Sequence, residues 1–313
     1  MKKTKNKIIV IATVLLFIVG FGILAYPTIS SKWNAYRDSL LIVEYENKIA
    51  GVDYTDEFAA ADEYNLGLVG GLVPDVFAIR ENVPDPLYES LLNVDGSGIM
   101  GYIQIPCIDV KLPIYHYSTE EVLMAGAGHL PGSSLPVGGE SSHSVITAHR
   151  GLPNAKMFTD LNLVRKGDTF YVTILGETFA YEVDFITTVY PYETSALAIE
   201  EGHDYVTLIT CTPYAVNTHR LFVRGHRVEY NEEVFQEAED KGKTVALRSF
   251  DWVQMVCIGL GILIPVLIAS LIGGKKRRKR RKKRKAAKAK KKAEKKALRK
   301  AKKDAKKQGK KKE

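Results

Sequence analysis

Hydrophobic and polar positions between residues 98 and 230 predict a series of short β-strands. Gly176 and Glu177 separate two of these segments and predict a hairpin. Seven or eight strands at this spacing favour a closed barrel or a sandwich. The segments, rich in β-branched and aromatic residues, are GIMGYIQIP, VKLPIYHY, SVITAHR, TFYVTIL, ETFAYEVDFITTVY, DYVTLITC and HRLFVRGHRVEY.

The chain before and after the strands follows other patterns. Residues 31–50 place apolar side chains three to four positions apart, which predicts a helix, and residues 55–66 predict a second, acidic helix. The segment 67–85 is rich in turn residues. Residues 231–251 are polar and charged, and we expect a linker there.

Two uncharged apolar stretches, residues 8–26 and 252–272, are long enough to cross a bilayer, which takes about 20 helical residues. Lysines precede the first stretch and a basic run follows the second, so both termini are expected in the cytoplasm and the middle outside. The first stretch could instead be a cleaved signal peptide, but its apolar run is longer than the about 7 to 15 residues of that class.

Charge is divided along the chain. Residues 275–313 contain 26 Lys and Arg against 3 acidic residues, a net charge of +23, whereas residues 27–274 contain 15 basic and 33 acidic residues, a net charge of −18. An acidic middle with basic ends does not predict a nucleic-acid-binding domain. The basic tail is expected to contact acidic membrane lipids, with nucleic acid or ribosome contact as the alternative.

Cys211 is the first candidate for chemistry, because it ends a strand and lies at a rim rather than in mid-core. A buried small hydrophobic residue is the commoner role of a lone cysteine, and a nucleophile is the alternative. Cys107 and Cys257 do not suggest a disulfide framework.

A nucleophilic cysteine needs a base or a cationic neighbour, because the thiolate is the reactive form. Of the seven histidines, His149 follows the run SVITA and precedes a turn, which places it at a strand end like Cys211. His143 and His149 lack the additional clustered ligands of a zinc site, so we expect neither metal nor cofactor.

Arg220 opens the next strand, nine residues after Cys211. The loop 212–218 would bring the two strand ends together. A guanidinium keeps its charge at neutral pH and offers forked donors, so it could bind an oxyanion. The alternative is an exposed strand arginine, as for Arg224 and Arg227.

The phrases LPVGGESSHSVITAHRGLPNAKMFTDL and TCTPYAVNTHRLFVRGHR resemble the sortases, and within them the class C, pilus-assembling branch. Sortases are membrane-anchored transpeptidases of Gram-positive surfaces, built on a closed β-barrel. The resemblance covers residues 89–230. It implies that Cys211 is the nucleophile, His149 the acid and base, and Arg220 the oxyanion-binding group, while Thr210 lines the site or donates a hydrogen bond.

The same resemblance implies a reaction. The enzyme would cleave a Leu-Pro-x-Thr-Gly-like (LPXTG) sorting signal between Thr and Gly and join the acyl group to a lysine amine of a pilin subunit. One alternative is anchoring of surface proteins to a peptidoglycan precursor. A non-catalytic membrane scaffold is the other.

A lid over the active site is also implied by the resemblance, built on an Asp-Pro-aromatic motif. Asp75 and Phe77 keep the spacing without the proline, whereas Asp85, Pro86 and Leu87 keep the proline without the aromatic ring. We favour Asp75 and Phe77, because a ring supplies the larger apolar contact. An ordinary surface loop is the alternative.

These observations predict a mainly β protein, with a closed sortase-type barrel of about eight strands, N-terminal helices and two flanking transmembrane helices. The expected segments are a basic cytoplasmic N terminus at 1–7, a transmembrane helix or signal anchor at 8–26, an extracytoplasmic helical region with the lid at 27–97, the catalytic barrel at 98–230, a linker at 231–251, a transmembrane helix at 252–272 and a basic cytoplasmic tail at 273–313.

Overall fold

The computed structural model describes residues 2–68 and 85–248, together with four single residues of the C-terminal region, and it describes side chains from residue 12 onward with some gaps. One compact unit comprises Gly22–Phe250 and contains the predicted site. A second unit comprises Met1–Phe21 and Asp251–Glu313.

Five helices are described. The predicted helix at 31–50 is the C-terminal part of a longer helix, and the predicted helix at 55–66 is present with two more residues. The segment expected to be a linker at 231–251 is mostly helical, because Asn231 accepts hydrogen bonds from the first turn and two glutamates favour that helix end. The helices are α1 Lys2–Ile49, α2 Thr55–Leu68, α3 Pro86–Ser90, α4 Glu120–Ala125 and α5 Glu232–Arg248.

The two candidate membrane spans are not confirmed. Within the part of the chain whose side chains are described, no helix has a stretch long and apolar enough to cross a bilayer. Several side chains of residues 8–26 lie outside that part, as does nearly all of the stretch 252–272.

Eight strands form a closed barrel in the order β1-β2-β3-β4-β7-β8-β6-β5, which confirms the predicted barrel. The strand absent from the sequence prediction is β3, which has only three residues. The strands are β1 Ile99–Ile105, β2 Val110–Tyr115, β3 Ala127–His129, β4 Ser142–Thr147, β5 Thr169–Ile174, β6 Glu177–Val189, β7 Asp204–Thr212 and β8 His219–Val228.

The hairpin predicted at Gly176 joins β5 and β6. Leu175 and Gly176 form its two-residue loop, with φ angles of 48° and 91°. A two-residue loop with both φ angles positive matches the right-handed twist of the flanking strands, and glycine adopts this conformation without steric cost. The turn therefore sets the register of β5 against β6, the strands that pair with β1 and β8.

The N-terminal helices pack on the barrel through buried polar groups as well as apolar ones. The Tyr45 hydroxyl of α1 donates to the carbonyl of Met100 at 2.8 Å and accepts from the amide of Leu175 at 2.9 Å. Asn65 of α2 exchanges two hydrogen bonds with the backbone of Leu135. Because buried polar groups are costly when unpaired, these bonds specify where each helix lies.

Candidate active site

Cys211 and Arg220 are direct partners across the antiparallel pair β7–β8. The short loop between the strands makes this pairing local, and it brings sulfur and guanidinium to one edge of the barrel. Arg220 also pairs with Val189 of β6, so its strand is flanked on both sides. The facing ends predicted from the sequence therefore do meet.

His149 reaches the same edge by a different route. Strands β4 and β7 are parallel, and their last pair is Thr147 with Ile209. Two residues further along each chain are His149 and Cys211, and parallel neighbours end on the same side of a sheet. The three predicted residues thus lie in, or two positions beyond, three adjacent strands of the barrel.

Hydrogen bonds hold the end of β4 against β7. The amide of Ala148 donates to the carbonyl of Ile209 at 3.2 Å. The hydroxyl of Thr210, which is buried, donates to the carbonyl of Ala148 at 2.9 Å. Thr210 thereby ties the residue before Cys211 to the residue before His149.

Arg150 was missed by the sequence analysis, although it directly follows His149. Its Nη1 donates to the hydroxyl of Thr212 at 2.9 Å, and its Nε donates to the carbonyl of Thr159 at 3.1 Å. The next residue, Gly151, has a φ of +83°, and a Cβ there would lie 3.0 Å from the ring of Tyr214. Arg150 and Gly151 let the loop after His149 pack closely against the β7–β8 loop.

Arg220 is held by its own loop. Its side chain is buried, and Nη1 donates to the carbonyls of Asn217 and His219, each at 3.1 Å. A guanidinium offers planar, forked donors, so two such bonds orient the group. The fixed orientation is the property that an oxyanion-binding group requires.

The Cys211 thiol is half-buried and not part of a disulfide. Burial raises its pKa, and the positive charge of Arg220 partly opposes that rise. The thiol form therefore dominates near neutral pH, and the reactive thiolate is a minority species there. Cys107, by contrast, lies beside Asp168, and burial with that carboxylate raises the pKa of its thiol to about 12.

Glu120 is a second residue that the sequence analysis missed. Its Oε1 lies 3.4 Å from Nε2 of His149, and the His149 side chain is 22% exposed against 78% for Glu120. The available signal was the STEE run at 118–121, which is typical of a helix start. Nothing in the sequence connected that helix with His149.

Two of the other histidines make structural hydrogen bonds. The Nδ1 and Nε2 of His116 lie at hydrogen-bond distance from the carbonyls of Gly98 and Leu91. His143, considered beside His149 as a metal ligand, contacts the carbonyl of Ala198 and the hydroxyl of Thr207, and burial lowers its pKa. Over the described ranges, no group of three or more His, Cys, Asp and Glu side chains is placed to bind a metal ion.

The structure describes one of the two lid candidates. Asp75 and Phe77 lie outside the described residues. Asp85 caps the start of α3, where its carboxylate accepts from the amides of Leu87 and Tyr88. Pro86 is the first residue of that helix, and Leu87 is exposed. The lid remains a prediction.

Comparison with known proteins gives the family. A model of the sortase domain matches residues 103–228. The crystal structure of sortase C-1 from Actinomyces oris is 47% identical, with 57% of this chain and 100% of that chain covered, and the TM-score is 0.54. This chain belongs to the sortase family. Sortase C of Streptococcus pneumoniae is 40% identical, with 61% of this sortase and 97% of the pneumococcal chain covered, at a TM-score of 0.56.

A further relative is sortase A of Bacillus anthracis, which is 25% identical over 224 residues. That similarity covers 72% of this sortase and 96% of the relative. Sortases are cysteine transpeptidases, and this protein is an enzyme of that type.

Proposed function

We propose that this sortase cleaves an LPXTG-like sorting signal between Thr and Gly and transfers the acyl group to a lysine amine of a pilin subunit. The observation that carries the proposal is the placement of Cys211 directly opposite Arg220, beside the end of the parallel strand that leads to His149. Nucleophile, oxyanion-binding group and acid–base group then share one edge of the barrel.

In the first half-reaction, the Cys211 thiolate attacks the threonine carbonyl carbon of the signal. Arg220 donates hydrogen bonds to the oxygen that becomes negative in the tetrahedral intermediate. His149 gives a proton to the glycine amine as the C–N bond breaks. The products are a thioester on Cys211 and a free amino-terminal glycine.

In the second half-reaction, a lysine amine attacks the thioester carbonyl. His149, now neutral, takes a proton from that amine, and Arg220 again binds the oxyanion. The C–S bond breaks and Cys211 leaves as a thiolate, which restores the starting charge state. The new bond is an isopeptide link between two protein chains.

The two candidate roles differ in the amine that accepts the acyl group. Pilin substrate specificity is attributed to the similar pneumococcal sortase C, and this favours a pilin lysine. The similarity to a sortase A supports, as the second candidate, anchoring of surface proteins to a peptidoglycan precursor. Because pilin specificity is named for the pneumococcal sortase C, the pilin role is our preferred one.

The proposed location is the cell membrane, with the catalytic domain outside and both termini in the cytoplasm. The two uncharged stretches with basic flanks support it. Asp75 and Phe77 would form the lid over the site, on the strength of the acid-to-aromatic spacing. The basic tail would contact acidic lipid headgroups of the inner leaflet.

Variants of two cysteines test the proposal. In a strain without another sortase, the wild type should link pilin subunits into ladders of high mass, Cys211→Ala should produce none, and Cys107→Ala should produce them normally. Mass spectrometry should detect the thioester on Cys211. Ladders formed by Cys211→Ala would refute catalysis by this thiol. A single product linked to the cell wall, without ladders, would favour anchoring.

A further inference from the structure

Nε2 of His149 is buried and makes no hydrogen bond with any residue that the structure describes. The carboxylate of Glu120 lies 3.4 Å from this nitrogen. That distance is slightly longer than a normal hydrogen bond. Because the Glu120 side chain is largely exposed, a small rotation of its bonds can close the gap without repacking the core.

The fold places Glu120 by local connections. Glu120 is the first residue of α4, and the hydroxyl of Thr119 accepts from the amide of Val122 to cap that turn. At Gly128 of β3 a Cβ would lie 3.1 Å from a methyl of Val122 and 2.3 Å from the carbonyl of Tyr117. The absence of a side chain at Gly128 therefore lets the start of α4 approach the sheet closely.

Strand β3 also connects α4 to His149. Gly128 pairs with Thr147, two residues before His149. Helix α4 leads into β3, and His149 follows β4, so the pairing of β3 with β4 brings the carboxylate and the imidazole together.

Other charged groups around His149 have different positions or partners. The Arg150 side chain donates hydrogen bonds to Thr159, Asn162 and Thr212. Arg37 of α1 pairs with Asp38 and reaches only the far end of α4, at the carbonyl of Ala125.

On the barrel side, Cys211 is the next-to-last residue of β7 and Arg220 is the second residue of β8. Glu121, next to Glu120, is exposed. Among the described residues, Glu120 is the acidic group in ion-pair distance of the imidazole.

We infer that Glu120 is a positioning residue for His149: its carboxylate binds Nε2, stabilises the imidazolium form and leaves Nδ1 to exchange a proton with the substrate. This inference rests on the proposed function, in which His149 must carry a proton when the glycine amine departs. A negative charge beside the ring favours that protonated state. The pair also selects one ring orientation, because one nitrogen is held.

Three variants separate this role from a structural one. Glu120→Gln removes the charge and keeps the shape, Glu120→Asp keeps the charge, and Glu121→Gln removes the neighbouring charge as a matched control. A partly exposed ion pair contributes modestly, so Glu120→Gln should lower the transpeptidation rate about two- to fivefold. Glu120→Asp should recover most of the rate, and Glu121→Gln should match the wild type.

A second measurement does not depend on turnover. In the full chain with Cys211→Ala and isotopically labelled histidine, the Nε2 NMR signal of His149 at a fixed pH should change when Glu120→Gln is added, because the carboxylate beside that nitrogen is lost. An unchanged rate and an unchanged Nε2 signal in Glu120→Gln would overturn the inference, as would an equal change in Glu121→Gln. Full turnover by Cys211→Ala alone would instead overturn the proposed function, and the Nε2 signal would still decide the role of Glu120.

Discussion

Cys211 and Arg220 occupy opposite positions of one strand pair, and the carbonyls of Asn217 and His219 already orient the guanidinium. One contact comes from the loop that joins the strands and the other from the first residue of β8. The arginine is thus positioned before any substrate enters. An oxyanion-binding group that needs no reorganisation during the reaction stabilises the transition state most effectively.

Replacing Arg220 should lower kcat strongly. Loss of one oxyanion donor typically costs about 10² to 10³ in rate, so Arg220→Ala should fall in that range. Arg220→Lys should recover little, because an ammonium lacks the planar fork of donors. Steady-state kinetics with an LPXTG-like peptide measure the effect. Arg224→Lys is the control, since Arg224 pairs with Asp184 away from the site. Near-normal kcat in Arg220→Ala would contradict the assigned role.

The raised pKa of Cys211 predicts how its thiol reacts. Because burial raises that pKa, the thiolate fraction and the rate of alkylation by iodoacetamide should increase up to at least pH 9. Arg220→Gln should react more slowly at each pH, since Arg220 lowers the pKa. Peptide mapping distinguishes Cys211 from Cys107, whose pKa of about 12 predicts much slower labelling. A rate for Cys211 that reaches its plateau below pH 7 would instead indicate a thiolate–imidazolium pair.

His129 should make the fold sensitive to acid. It is fully buried, with Nδ1 bonded to the Tyr88 hydroxyl and Nε2 to the Ser134 carbonyl. Burial lowers its pKa to about 4 from the ordinary 6.5. The unfolded chain therefore binds a proton that the folded state excludes, and this contribution to stability is full above pH 6.5 and lost as the pH falls towards 4.

Excluding this proton from His129 contributes as much as about 3 kcal/mol to the dependence of the free energy of unfolding on pH. Urea unfolding at pH 7 and pH 4.5 tests it in the wild type and in His129→Gln, which cannot take up the proton. The variant should be less stable at pH 7, yet its loss on acidification should be smaller by about 2 kcal/mol. Equal losses in both proteins would show that His129 does not carry the effect.

Gly225 in β8 leaves no room for a side chain. A Cβ there would lie 2.6 Å from the ring of Phe170 and 2.9 Å from the Cβ of Tyr181. Gly225→Ala should therefore destabilise the protein by about 1 to 3 kcal/mol through overpacking. Gly67→Ala is the matched control, since nothing lies within 4 Å of that position in α2 and alanine favours helix by up to about 1 kcal/mol. Thermal unfolding should rank Gly67→Ala at or above the wild type, and the reverse order would contradict the packing argument.

The sequence was sufficient for the parts of this protein that depend on near neighbours. Hydrophobic spacing predicted the β-rich domain and the helices at 31–50 and 55–66, because strand and helix periods are local properties. The short loop after Cys211 predicted that Arg220 would face it. The three-residue strand β3 and the helix α5 were missed, since one is too short to show a period and the other is mostly polar.

The position of His149 relative to Cys211 and Arg220 was decided by the tertiary structure. The sequence placed His149 at a strand end, but its strand is separated from β7 by β5 and β6, and only closure of the barrel makes β4 and β7 parallel neighbours. Glu120 reaches His149 because β3 is inserted between β2 and β4 and carries α4 with it. Contacts within one hairpin follow from chain connectivity, whereas contacts between distant strands depend on the order in which the whole sheet closes, and that order is set by packing of the entire core.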